Sequence, residues 1–278
     1  MTRSTMLQSK KGRINEKAKK VGFVLLKILS VSLFWFAIWF LVAKKIDSQL
    51  ILPAPKDVFL CLGNLITKAE FWLFSFASLL RIACGILISF LIGVFIAIAT
   101  TRFKIMNMLL SPLLTVMKST PIASFIILAF VWMHTDIIPI FITSLIVIPM
   151  VWSNISEGIL AVDPLLSEVT KIYRFSRLKK LTRLYIPTIA PYFMATCKSA
   201  LGMAWKAGIA AEILAPPESS IGGEIIRAKR FLEMPTMFAW TLVVILLSLL
   251  FEKIFVLGIE KLGKRFRFFS QGGPHADR

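Results

Sequence analysis

The chain has 278 residues, of which 57% are hydrophobic and 17% charged, and its 33 Lys and Arg against 15 Asp and Glu give a formal net charge of +18. A soluble domain usually has about a quarter charged residues. A basic nucleic-acid-binding protein would not combine a pI of ≈ 10.1 with a mean hydropathy of +0.78. The two His and three Cys are too far apart for a zinc site or a disulfide framework. The composition indicates a membrane protein that binds lipids and no nucleic acid.

Six apolar runs are long enough to cross a bilayer, which takes about 20 residues. They cover residues 21–42, 72–99, 105–133, 137–160, 189–214 and 236–257. Only a short polar break separates the third run from the fourth, and Pro139 and Pro149 interrupt the fourth. Prolines are tolerated in membrane helices whose neighbours satisfy the freed carbonyls, so two helices are predicted there. The first run is too long for a cleavable signal peptide and lacks a convincing cleavage site, so it is predicted to remain as a span. An all-α membrane protein with six transmembrane helices is expected.

The basic residues are distributed unevenly between the connecting segments. Lys and Arg near span ends are retained on the cytoplasmic side. With the N-terminus inside, the inner segments hold 20 of the 33 cations and five acids, whereas the outer segments hold seven of each. The remaining six cations fall within or at the edges of the spans. Both termini are therefore predicted to be cytoplasmic, with basic tails over residues 1–20 and 258–278 of a protein in the cell membrane.

The longest inner connection, residues 161–188, has the pattern of a structured loop. Asp163 is a good N-cap and Pro164 fits the first helical position, because the missing N–H has no intrahelical partner there. The apolar residues that follow recur at helical spacing on one face: Leu165, Leu166, Val169, Ile172 and Tyr173. Ser176 starts a second predicted helix, which Pro187 is expected to stop. The apolar face fits two arrangements: it packs against the protein's own helix ends, or it inserts into a groove on a partner.

This loop resembles the EAA loop of the permease subunits of ATP-binding-cassette (ABC) importers, in the branch that includes nitrate, taurine, aliphatic sulfonate and thiamine-precursor systems. Glu168, Ile186 and Pro187 match the family pattern. Val169 and Thr170 replace its two alanines, and Arg174 stands where a glycine is expected. Residues 119–122 and 200–212 are similar to the start of the family's third span and to its fifth span. The likeness extends over residues 72–257.

The resemblance implies a division of labour among several subunits. Two permease subunits, here a homodimer, form the pathway, two cytoplasmic ATPases dock under the loops, and an external binding protein delivers the substrate. ATP is bound by the partner ATPases, so this chain is expected to have no cofactor and no enzymatic activity. The resemblance assigns ATPase coupling to Asp163, Leu165, Leu166, Glu168, Val169, Ile172, Arg174 and Pro187.

Charged residues at membrane depth are candidates for the pathway, because a charge there is costly unless it faces water or a partner. Lys206 and Glu212 lie on opposite faces of a helix that is rich in Gly and Ala. The pathway candidates are Lys118, Trp205, Lys206 and Glu212. Internal hydrogen bonding or snorkelling is the alternative for Lys206, and snorkelling is the alternative for Lys118. Arg81 and Glu157 could each hold a buried ion pair between spans. The excess of cations in the spans favours a small anion such as a sulfonate, taurine or nitrate.

Two other functional classes remain as alternatives at this point. A secondary transporter or channel would need its own ion-coupling residues and no ATPase. An intramembrane enzyme would need a cluster of His or acidic residues at one depth, which the sequence lacks. Residues 258–265 match most of a phosphate-binding P-loop, but Arg265 replaces the Ser or Thr that binds magnesium and no strand is predicted before it.

Overall fold

The computed structural model describes residues 23, 26–27 and 29–265, without the side chains of residues 259–260 and 262–265. This part of the chain is helical and contains no strands. Its α-helices are α1 (Leu29–Ile46), α2 (Pro55–Ile66), α3 (Ala69–Arg102), α4 (Lys104–Ser119), α5 (Ile122–Trp132), α6 (Ile138–Leu160), α7 (Pro164–Ile172), α8 (Arg177–Lys180), α9 (Ile186–Leu214), α10 (Ile221–Arg230) and α11 (Met234–Arg265). The basic tail predicted at residues 1–20 lies outside the described residues, and the segment that resembles a P-loop forms the end of α11.

Among the described residues, four helices are long and apolar enough to cross a membrane: α1, α3, α6 and the first 25 residues of α11, Met234–Gly258. The pair α4 and α5 brings the number to five if it forms one broken span. The six predicted spans are therefore confirmed only in part. Although α9 is 29 residues long, it does not belong to this set, because Lys198, Lys206 and Glu212 and many small residues lower its hydropathy.

The third predicted span, residues 105–133, is not one continuous helix. It divides into α4 and α5, whose axes differ by 106°. Thr120 between them is extended, with ψ at 134°. Pro121 explains the break, since the proline ring disfavours the helical conformation of the residue before it. The prediction of a single helix was wrong, because the count of apolar residues continued across Thr120 and Pro121, where the helix breaks.

The core lies where α3, α6 and α9 cross. Its buried side chains include Ile82 and Ile86 of α3, Val147 and Val151 of α6, and Ala204 and Leu201 of α9. Two glycines allow the close approach of these helices. A Cβ on Gly93 would lie 2.7 Å from Cβ of Val151, and a Cβ on Gly208 would lie 2.5 Å from Cγ1 of Ile82. Small residues at helix crossings are typical of membrane bundles, where close van der Waals contact drives association.

Two polar contacts fix the ends of the bundle. Trp152 Nε1 donates to Thr100 Oγ1 over 2.9 Å and joins the C-terminal parts of α3 and α6 near α7. We call this the α7 end. At the other end Arg81 of α3 contacts Asp136, which precedes α6. We call this the α10 end.

The sequence predicted that Pro187 would end the second loop helix. The structure shows that the helix continues through this residue. After α8 it forms a π turn over Leu181–Tyr185 and continues directly into α9, with Pro187 in the first turn of α9. Ile186 N–H donates to the carbonyl of Leu181, five residues back. The π turn is wider than an α turn and leaves room for the proline ring. The absent N–H of Pro187 is tolerated here, as it is in the first turn of a helix. The second loop helix is therefore continuous with the long helix α9.

Candidate functional site

The helix start predicted at Asp163 is confirmed. The carboxylate of Asp163 accepts a hydrogen bond from Leu165 N over 2.8 Å, and Pro164 is the first residue of α7. On the inner side, Thr170 is buried and Lys180 Nζ donates to Ser167 Oγ over 3.0 Å. These contacts fix α7 against the start of the α8–α9 helix.

The apolar face of α7 does not pack against the protein's own helix ends, which was one of the two arrangements open from the sequence. Leu165 is 69% exposed and Ile172 77% exposed, and Leu166, Val169 and Tyr173 are exposed too. Glu168 lies on the same helix and is also exposed. The cap at Asp163 and the contact of Lys180 with Ser167 hold α7 in place, while its apolar face is exposed. The helix therefore presents an exposed apolar surface beside the acidic side chain of Glu168.

Arg174 adopts the backbone conformation that favours glycine. Its φ is +46°, and it is the first residue after the C-cap Tyr173 in the Schellman motif that ends α7. In this motif Arg174 N donates to the carbonyl of Lys171 and Phe175 N donates to that of Thr170, over 3.0 and 2.9 Å. The geometry expected where a glycine stands in the EAA pattern is therefore kept with an arginine, at the conformational cost that a Cβ brings to the left-handed region.

Replacement of Arg174 by glycine is expected to stabilise the loop by about 1 kcal/mol, because relief of the left-handed strain outweighs the extra entropy of glycine in the unfolded chain. Hydrogen exchange of the α7 amides measures this effect as slower exchange. The matched control is Arg177→Gly, which places glycine within α8 and is expected to speed local exchange. Faster exchange in R174G would contradict the strain assigned to Arg174.

A buried polar cluster occupies the α10 end and is centred on Glu212 of α9, whose side chain is 0% exposed. Its Oε2 accepts hydrogen bonds from Ser78 Oγ at 2.7 Å and from Gly222 N at 3.2 Å, and its Oε1 accepts one from Arg81 at 3.3 Å. Ser78 Oγ also accepts a hydrogen bond from Ile221 N over 2.9 Å. Both oxygens of a buried carboxylate are thus used, as burial of a charge requires. We refer to Ser78, Arg81, Glu212 and Gly222 as the Glu212 cluster.

Arg81 extends the Glu212 cluster to two connecting segments. It donates to the carbonyl of Ser219, which precedes α10, and to Asp136, which precedes α6, each over 2.9 Å. The ion pair that the sequence analysis considered for Arg81 exists, whereas Glu157 is exposed. Sequence reasoning missed Ser78 and the Gly222 amide, because neither residue type signals a buried carboxylate. The cluster ties α3, α6, α9 and α10 together.

Of the pathway candidates on α9, one is exposed and two are buried. Lys206 is exposed on a face that also carries Ser199, Gly202 and Met203, and a Cβ on Gly202 would meet nothing within 4 Å. Trp205 is 2% exposed and donates from Nε1 to the carbonyl of Val244 in α11. Trp205 and Glu212 thus serve packing within the subunit, and their part in a pathway stays a prediction. The face around Lys206 is the part of α9 that remains open to another chain or to water.

Lys118 lies at the last turn of α4, beside the break. Its side chain is exposed, and its Nζ lies 5.4 Å from the ring centroid of Trp152. A cation over an indole face is attracted by the ring quadrupole, so this contact holds the ammonium near α6.

A cavity of ≈ 320 Å³ lies between α2, α3, α10 and α11. Its lining includes Glu70, Glu224 and Glu233 together with Lys68 and Arg227. Burial raises the pKa of Glu224, while Arg227, which lies 3.1 Å away, opposes that rise. The mixed charges nearly balance, so the cavity does not define a site of one sign.

Comparison with known proteins supports one family. The family described as "Binding-protein-dependent transport system inner membrane component" matches residues 89–262. A relative named as an aliphatic sulfonates transport permease, SsuC of Bacillus subtilis (strain 168), is 26% identical over 69% of this chain and 70% of its own length. The bicarbonate transport system permease protein CmpB of Synechococcus elongatus is 29% identical over 53% of each chain.

A solved structure supports the fold. A bacterial ABC transporter involved in the import of the acidic polysaccharide alginate contains a chain that superposes with a TM-score of 0.59 at 17% identity, covering 90% of this chain and 98% of the other. The family match covers more than half of the 278 residues and includes α7, α9 and most of α11. The chain therefore belongs to the binding-protein-dependent transport system inner membrane components, which are the permeases of ABC importers.

Proposed function

We propose that two copies of this chain form the translocation pathway of an ATP-driven importer for a small oxyanion such as a sulfonate, nitrate or bicarbonate. The observation that carries this proposal is α7, a firmly capped helix whose apolar face is left open beside Glu168. An amphipathic helix with an open apolar face is suited to a groove on a partner. The partner proposed here is a cytoplasmic ATPase, which would bind and hydrolyse the ATP; the permease itself needs no cofactor.

The remaining parts of the proposal concern orientation and pathway. The excess of basic residues in the segments predicted to be inner supports a cytoplasmic position for the α7 end and both termini. An external binding protein would then dock at the α10 end. A similar solved structure is that of a bacterial alginate ABC transporter in complex with an alginate pentasaccharide-bound periplasmic protein. The exposed face of α9 with Lys206 is proposed to line the pathway between the two subunits. ATP-driven movement of α7 would pass through the contact between Ser167 and Lys180 to α8, which forms one continuous helix with the π turn and α9.

Charge reversal at Glu168 is expected to reduce the amount of ATPase that co-purifies with the permease by at least about tenfold, since a close interfacial charge contact contributes about 1.5 kcal/mol or more. Deletion of residues 163–174 is expected to abolish co-purification. The measurement is pull-down of the cognate ATPase from detergent-solubilised membranes, followed by ATP-dependent uptake in proteoliposomes.

The matched control is Glu218→Arg, which makes the same charge change on an exposed residue at the α10 end. It is expected to leave ATPase binding unchanged. Full ATPase binding by both the Glu168→Arg variant and the deletion variant would refute the coupling role of α7. Uptake by the wild-type chain that needs an ion gradient and no ATPase would instead identify a secondary transporter.

A further inference from the structure

Helix α4 carries a narrow polar arc along its whole length. Five of the six polar residues of α4, all except Ser119, follow at intervals of three and four: Lys104, Asn107, Ser111, Thr115 and Lys118. At about 100° per residue, these five positions fall within about 80° of the helix circumference. We call them the α4 arc. It has a lysine at each end, contains no acidic residue, and consists of side chains that can all donate hydrogen bonds.

The other sides of α4 are apolar and have different environments. Leu114 is 2% exposed and marks the side that packs against the protein. Another side carries four exposed apolar residues: Ile105, Leu109, Leu113 and Val116. These four lie 100° to 180° around the helix from Lys104 by the same rotation, so they form a surface that suits lipid chains. The α4 arc is therefore separate from the lipid-facing side and adjoins the side that packs.

The position of Lys118 places one end of the α4 arc beside the core. Its Nζ lies over Trp152, and the hydrogen bond from Trp152 to Thr100 holds that indole in place. Thr100 lies four residues before Lys104 in the sequence, so both lysines of the α4 arc lie close to the contact between Trp152 and Thr100 that marks the α7 end.

The polar side chains of the α4 arc need contact with water or with an anion. Thr115 Oγ1 satisfies itself by donating to the carbonyl of Ser111 over 2.8 Å. A lysine or asparagine side chain cannot satisfy all its donors through the helix backbone in this way. Lys104, Asn107 and Lys118 are all exposed in the single subunit. Ionisable groups at membrane depth face the interior of the bundle or a water-filled cavity. A row of donors without a carboxylate favours an anion over a cation.

We propose that the α4 arc lines the aqueous part of the translocation pathway at the α7 end and contacts the oxyanion group of the substrate, with Lys118 as the cation beside Trp152. The inference rests on the proposed function, because it names the substrate class for that pathway. It adds a specific surface, since Asn107, Ser111 and Thr115 are assigned to substrate passage together with Lys118. The break at Thr120–Pro121 ends the arc and turns α5 away from it.

Cysteine accessibility tests the position of the α4 arc without any need for transport. Asn107→Cys, Ser111→Cys and Thr115→Cys are made in the full chain after Cys61, Cys84 and Cys197 have been replaced, and the reagent is the anionic 2-sulfonatoethyl methanethiosulfonate applied to inside-out membrane vesicles. The control positions are Ile105, Leu109, Leu113 and Val116, each changed to cysteine. Arc cysteines are expected to react at least about tenfold faster, because a thiol among apolar groups has a raised pKa and each unit lowers the thiolate fraction tenfold.

Two patterns would overturn the proposal. Equal reactivity of the arc cysteines and the control cysteines would mean that water surrounds α4. No reaction of the arc cysteines would mean that the α4 arc is buried by packing. Both results are independent of whether the ATPase docks, so they are distinguishable from a failure of the proposed function, which the Glu168 experiment tests.

Uptake kinetics test the anion contact. In Lys118→Gln the KM of the oxyanion substrate is expected to rise about tenfold, which corresponds to about 1.4 kcal/mol for one charge-assisted hydrogen bond. The control is Lys56→Gln, on exposed Lys56 of α2, for which KM is expected to remain unchanged. An unchanged KM in K118Q, with reactive arc cysteines, would show a water-lined surface without an anion contact and would overturn that part of the proposal.

Discussion

Replacement of Glu212 by alanine is expected to lower the free energy of unfolding by about 3–5 kcal/mol, the range found when one partner of a buried ion pair is removed. The physical reason is that three donors lose their acceptor together. Ser78 Oγ, Arg81 and the Gly222 amide all donate to this carboxylate, which is 0% exposed. Arg81, whose side chain is 15% exposed, would keep only its contacts with Ser219 and Asp136. The measurement is a denaturant titration of the detergent-solubilised permease.

The control for this experiment is Glu218→Ala. Glu218 lies in the connection between α9 and α10 and is exposed, so its removal is expected to change the free energy of unfolding by less than about 0.5 kcal/mol. Glu212→Gln is a second useful variant, since an amide oxygen can still accept from Ser78 and Gly222 but no longer pairs with the charge of Arg81. Wild-type stability in E212A would show that the Glu212 cluster does not hold the α10 end together.

Replacement of Gly222 by alanine is expected to cost about 3 kcal/mol, from overpacking together with loss of a hydrogen bond to a charged group. A Cβ on Gly222 would lie 2.6 Å from the carbonyl carbon of Glu212 and 2.7 Å from Ile213 N. These are backbone atoms of α9, so no rotation of a flexible side chain can relieve the clash. Separation of α10 from α9 would also lengthen the 3.2 Å contact between Gly222 N and Glu212. The thermal unfolding midpoint and the yield from membranes measure the loss.

The matched control is Gly63→Ala on α2, where a Cβ would meet nothing within 4 Å. This change is expected to raise stability by up to about 1 kcal/mol, because alanine has the higher helix propensity. Equal effects of the two substitutions would mean that Gly222 contributes only its conformational freedom. Opposite signs would confirm that the close approach of α10 to Glu212 is the decisive feature.

The predictions that succeeded rest on local patterns. Asp163 followed by Pro164 predicted the start of α7, and the structure shows the expected side-chain cap. The cause is local, since a capping carboxylate and a proline act within one turn of helix. The long apolar runs likewise predicted α3, α6 and α11, although α11 continues eight residues beyond the predicted end at Leu257. Their period and length are sufficient because a lipid-facing helix satisfies its own backbone hydrogen bonds.

The predictions that failed depended on geometry between residues. Counting apolar residues could not reveal that Thr120 would become extended before Pro121 and divide the third run. Pro187 was expected to stop a helix, but the preceding π turn accommodates it. Both cases show that the effect of a proline depends on the conformation of the turn before it.

The sequence by itself determined the membrane class, the uneven charge of the connecting segments and the likeness to ABC importer permeases, because composition, hydropathy and short motifs are properties of the chain in one dimension. Tertiary structure decided which polar groups meet. Ser78, Glu212 and Gly222 are more than 130 residues apart at their widest sequence separation, yet they share hydrogen bonds. Tertiary structure also determined that Glu212 is buried inside the subunit, whereas Lys206 and the apolar face of α7 are exposed. Burial arises from the packing of α3, α6, α9 and α10 together, and no single segment contains that information.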